Sequence, residues 1–179
     1  MAALTQQQIA AAEAFADATL DELETPEGID PETAVAAIAG MAGSFLLRSF
    51  GFELSHLAPG TAVASDEANE QGPRLVQILG GVLAHAGVAL DPEILGRGLD
   101  PDRLSRLEFL AGQTTLEAAF VAVGARYRLS PREAAEAAAA ATAFLIQQFS
   151  EELAPSLAFG IAVYGFIEGA KTVPGPAAP

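Results

Sequence analysis

Fifteen consecutive residues without a charge, Thr33 to Leu47, lie between Glu32 and Arg48, and this run constrains the fold more than any other feature. Asp30-Pro31 opens it. An Asp there accepts hydrogen bonds from the free amides of a first helical turn, and proline loses nothing in the next position. Ala36, Gly40 and Ser44 occupy places where a surface helix would carry charge. The helix expected over 31–50 is therefore apolar on every side, and such a helix has to be surrounded by protein. Gly51-Phe52 supplies its stop, glycine taking the left-handed position and Phe52 packing back. Ala137–Ser150, downstream of Ser130-Pro131, repeats the pattern, and Leu75–Leu90 and Leu153–Ile167 are similar uncharged runs. The expected fold is an all-α, single-domain multi-helix bundle of about six to eight helices, with two or three of them central and buried.

The remaining segments supply the outer elements. From Thr5 to Leu23, Gln6, Glu13, Asp17, Asp21 and Glu24 form one stripe, and Ile9, Ala12, Ala16, Leu20 and Leu23 form the opposite, core-facing one. A helix is expected from Ser65 to Ala86, kinked or divided at Gly72-Pro73. Short helices start at Pro92 and Pro101, each after an Asp cap. Further helices are expected over 115–128, 131–153 and 155–170. Thr114–Glu117 and Ser130–Glu133 read as capping boxes at the starts of the first two. No stretch alternates with period two. The domain is expected to span 1–171, and the Pro/Ala/Gly-rich tail 172–179 to be disordered.

Glycine in a helix interior costs up to about 1 kcal/mol relative to alanine, so the small residues need a reason. Ala36, Gly40 and Ser44 recur every fourth residue, as do Ser156 and Gly160, and Gly165 and Gly169. Such rows let two helix backbones approach closely. Phe45–Phe50 also resembles Phe144–Phe149, each ending an Ala-rich helix with a Leu-Ala-Pro triplet downstream, which suggests an internal helical-hairpin duplication.

Composition excludes several functions. With no cysteine, disulfides and thiolate metal sites are ruled out. A net charge of −14 repels phosphates, so no nucleic-acid partner is expected. The uncharged runs fall short of the roughly 20 residues of a spanning helix, so no membrane span is expected either. Met1–Gln6 lacks the basic and apolar regions of an export signal, and a cytoplasmic location is expected. Residues 1–70 carry twelve acids and one base, Arg48, whereas 97–132 carry six of the nine bases: Arg97, Arg103, Arg106, Arg126, Arg128 and Arg132. Oppositely charged faces of this kind either neighbour one another within the fold or meet between subunits.

Few residues suggest chemistry. Glu53-Leu54-Ser55-His56 has the Glu-x-x-His spacing of carboxylate-bridged metal bundles, but a second such pair is missing, and no metal or cofactor is expected. Ser65–Arg74 is the densest cluster of functional side chains. On a helix Asp66, Asn69 and Glu70 project together, with Glu67, Gln71 and Arg74 in the neighbouring row. His56, Asp66 and Glu70 are the catalytic candidates, and Glu67, Asn69, Gln71 and Arg74 the ligand-binding ones, if the segment forms a polar pocket with His56. The same acids also complement a helix dipole, and Glu70–Arg74 is an ordinary ion-pair spacing. His85 reads as a surface histidine. No phosphate loop, nucleophile elbow or zinc-helix motif is present. The expected function is that of an acidic, bacterial-type helical protein without enzymatic activity, which forms a homodimer or binds another protein. The alternative is a small-ligand binder or metal-dependent enzyme using the pocket around His56 and Asp66–Arg74.

Overall fold

The computed structural model describes residues 4–104 and 109–175, and among them every regular element is a helix. In order these are α1 (Gln6–Leu23), α2 (Pro31–Ser49), α3 (Asp66–His85), α4 (Pro92–Arg97), α5 (Pro101–Leu104), α6 (Phe109–Arg126), α7 (Pro131–Gln148) and α8 (Pro155–Lys171). They pack into one bundle, as the sequence leads one to expect. Most starts follow the caps read from the chain. Asp30 accepts from the Thr33 amide at 2.8 Å, and Ser130 and Glu133 form their reciprocal box. Thr5 and Gln8 form another box at the head of α1.

Thr114–Glu117 is no helix start. α6 already runs from Phe109, and Thr114 and Thr115 turn their hydroxyls back to the carbonyls of Leu110 and Ala111, at 2.8 and 3.1 Å. Threonine bonds to the carbonyl four residues earlier as readily as it caps, so the pattern alone does not separate the two. Pro73 does not divide α3, which continues unbroken from Asp66 to His85. In α1 the buried face is rotated from the expected stripe: Gln8, Ala11, Ala12, Phe15, Ala16 and Thr19 are buried, and Ile9 is exposed.

The packing forms three layers. α2 and α7 make the middle one, with α2 between α6 and α8, and α7 between α1 and α3. This accounts for the uninterrupted burial of Ala34–Leu47 in α2 and for the buried alanines of α7. α1 and α6 also touch each other, as do α3 and α8. Partners step together along α2 and α6 (Ser44 with Gln113, Arg48 with Glu117), so these two helices run parallel. α1 and α6 run antiparallel: Gln7 bonds to the Tyr127 carbonyl, and the Phe15 and Phe120 rings stack at 4.6 Å. Each helix triplet, α1–α3 and α6–α8, thus lays its first and third helices on the central helix of the other.

The rows Ala36-Gly40-Ser44 and Gly165-Gly169 lie where α2 crosses α8, whereas Ser156 and Gly160 face Asp91 and Leu99 on either side of α4. A Cβ on Gly165 would stand 2.7 Å from that of Ala39, and one on Gly43 would stand 2.7 Å from the Ala170 nitrogen. The two backbones touch, and only glycine fits between them. Beyond α8, Val173 is tied to the connection between α2 and α3. Val173 is buried, donates to the Thr61 carbonyl at 2.9 Å and accepts from the Gly60 amide at 2.9 Å. Of the tail expected to be disordered, residues 176–179 lie outside the described residues.

Candidate functional site

Polar groups inside the bundle hold helices together. Arg48, at the end of α2, donates both guanidinium nitrogens to Glu117 of α6, at 2.7 and 2.9 Å. Glu117 is only 3% exposed and Arg48 27%, so the carboxylate depends on this fork–fork pair. The guanidinium also lies over the Phe45 ring, 5.5 Å from its centroid. One turn away Gln113 Nε2 donates to Ser44 Oγ at 2.9 Å, both groups buried. A second junction centres on Glu136 of α7, which accepts from Gln8 of α1 at 3.1 Å and from Arg74 of α3 at 3.2 Å. These are stitches between layers. Arg48 and Glu117 are 69 residues apart in the chain, and no local pattern joins them.

The candidate residues are spread among different surroundings. His56 is exposed in the connection between α2 and α3. Its neighbour Glu53 accepts from the Ser55 hydroxyl at 2.5 Å and the Ser55 amide at 3.2 Å. The hydrogen bonds of Ser55, side chain first, hold the Glu53 carboxyl below the usual range, and the His56 charge adds least. Asp66, Glu67 and Glu70 are exposed in the first turns of α3, and Gln71 is half-buried. Asn69 accepts from Lys171 Nζ at 2.8 Å, tying α3 to the end of α8. Arg74 faces the other way, toward Glu136. Among the described residues no three His, Asp or Glu side chains gather as a metal site.

Three apolar clefts lie around α3 and α8. One of about 480 Å³ between these helices is lined by Asn69, Pro73, Val76, Gln77, Val163 and Ile167 among others. Another, of about 380 Å³, continues along α8 past Val163 and Ile167 to α4. The third, of about 620 Å³, lies between α1, α3 and α7; Arg74, Gln77 and His85 face walls that include Ile9, Ile78 and Phe144. Asn69 and Arg74 therefore open into separate clefts, and His56, Asp66, Glu67, Glu70 and Gln71 line none of the three. In the second cleft burial, followed by Glu168, raises the Tyr164 phenol above its ordinary value. A fourth cleft, acidic and about 640 Å³, is bounded by Glu22, Glu24, Glu27 and Asp30, with Thr115 of α6 on its far wall.

The chain matches no protein-family model, and no curated protein or solved structure is similar to it. No helix among the described residues is long and apolar enough to cross a membrane.

Proposed function

We propose that the protein is a non-enzymatic helical domain that works by self-association, as a homodimer, or by binding another protein, in the cytoplasm. The observation that carries this reading is an outer helix without a charged solvent side. Between Phe109 and Ala125 the only charge of α6 is Glu117, and that carboxylate is buried against Arg48. Val121 and Leu110 are left 45% and 37% exposed. Water-facing helices normally carry polar residues there, and an uncharged face is the usual mark of a contact surface. The buried Gln8, Ser44, Gln113 and Glu117, meanwhile, are engaged in joining helices. Light scattering across the micromolar range tests the reading: a concentration-dependent dimer is expected, and a monomer throughout that also captures no protein partner would defeat it.

A small-ligand binder is the second reading. It is favoured by the cleft in which Arg74, Gln77 and His85 face apolar walls, since a few polar groups in a mostly apolar concavity of this volume suit a small molecule. Thermal-shift screening of the protein and its Gln77→Ala variant tests it. A ligand that stabilises the parent and not the variant is the expected result, and a screen without stabilisation goes against it.

A further inference from the structure

The equivalent places of α1 and α6 in one layer make their solvent faces directly comparable. α1 presents Glu13, Asp17 and Asp21 to water, one acid per turn. α6 presents Leu110, Thr114, Ala118, Val121, Ala122 and Ala125. At 100° per residue these six occupy an arc of roughly 120°, the width of a full helix-packing face. The same fold thus gives one helix a solvent face and its counterpart an apolar one.

Among the described residues, charge lies at both ends of this apolar face, with opposite signs. Because α1 runs antiparallel to α6, the C-terminal end of α1 brings Glu22, Glu24, Glu27 and Asp30 beside the first half of α6, where Thr115 shares their cleft. At the other end Arg126 closes α6, Arg128 follows in the turn and Arg132 lies in the first turn of α7; all three are exposed. From Thr115 to Arg126 is about 16 Å along the helix, with Val121 close to the midpoint.

A face that is apolar in the middle, acidic at one end and basic at the other is complementary to itself under a twofold axis. Resting on the self-association reading above, we propose that the partner is a second copy of this chain, docked through α6 against α6 in antiparallel register about an axis near Val121. Each Arg126–Arg132 end then meets the partner's Glu22–Asp30 end, and the contact is made twice. The segregated charge supplies register and specificity, and the apolar arc supplies the contact. With one helix and its flanking loops on each side, the interface falls at the small end of stable ones, and dissociation in the micromolar range is expected.

The test is sedimentation or light scattering of the full chain from low to high micromolar concentration, at about 0.15 M salt so that the net charge is largely screened. The parent protein should dimerise. Val121→Glu, which adds like charges at the axis, should weaken the dimer about tenfold or more. Its circular dichroism should not change, nor its melting at concentrations where the parent is monomeric, because the side chain is exposed. Arg126→Glu should weaken it several-fold through the ends. The chain has no cysteine, so Ala122→Cys gives a single probe near the axis, which should oxidise to a disulfide-linked dimer. Asp17→Cys on α1 should stay unlinked under the same conditions. A dimer that survives Val121→Glu at full strength, or that links through Asp17→Cys as fast as through Ala122→Cys, overturns the α6 interface while self-association stands. A monomer at every concentration overturns both.

Discussion

Replacing Gly169 by alanine should destabilise the protein, although the same change stabilises most helices. A Cβ at Gly169 would fall on the Gly40 carbonyl oxygen and 2.8 Å from the Ser44 nitrogen. Both are backbone atoms of α2, a helix held on every side, so neither can swing away as a side chain could. Overpacking of this kind costs about 1–3 kcal/mol, and an obstacle made of backbone places it near the upper end. Alanine returns up to about 1 kcal/mol through its helix propensity. The net loss is about 2 kcal/mol, or roughly 4–8 °C in melting temperature for a chain of this length. Gly81 in α3 provides the control, since a Cβ there meets nothing within 4 Å. Gly81→Ala should keep the propensity gain and melt roughly 2–4 °C higher. Calorimetry on both variants decides the matter. A Gly169→Ala protein that melts at or above the parent would refute backbone contact between α2 and α8.

Three further outcomes follow from the packing. Gly40→Leu should cost about 1–3 kcal/mol in urea unfolding, because its first side-chain carbon already meets the Phe109 ring, with Cε1 at 2.8 Å; an unchanged midpoint would mean that Gly40 faces water. Arg48→Met should cost about 3–5 kcal/mol by leaving Glu117 buried and unpaired, and Glu117→Leu should cost less, because Arg48 keeps a path to solvent; equal or reversed losses in urea titrations would contradict the assigned burial. Ser130→Ala should lose about 1 kcal/mol of helix capping at neutral pH. Hydrogen bonds from Ser130, side chain and then backbone, hold the Glu133 carboxyl below its ordinary value. A lowered folded value means that this stabilisation is present above the unfolded carboxylate range and is lost as pH falls through the folded one. The gap between parent and Ser130→Ala should therefore narrow in acid, and a gap that widens there would count against the box.

Local signals that depend on neighbours in the chain were legible without the fold. Asp30-Pro31 and Ser130-Pro131 mark helix starts because a cap and its amides lie within one turn, and the uncharged run of α2 implies burial because no other environment suits it. The rows Ala36-Gly40-Ser44 and Gly165-Gly169 announced a close helix crossing for the same reason. Their periodicity did not name the partners, because which helix fills a groove depends on the packing of all the others. Arg48–Glu117 shows the limit clearly. In the chain Arg48 looks like a charge at a helix end and Glu117 like the close of a capping box. Only the docking of α6 along α2 makes them a buried pair, whose energy comes from leaving water together. The Ser65–Arg74 cluster divides in a comparable way. Helical spacing says which of its side chains share a row, but α7 draws Arg74 to Glu136 and α8 draws Asn69 to Lys171, into separate clefts. The charge-free arc of α6 could be counted in the sequence, yet it was hidden by Glu117, which in the chain reads as the helix's polar side. Once that carboxylate is placed inside, against α2, the side left facing water is apolar, and tertiary structure alone decided which side that is.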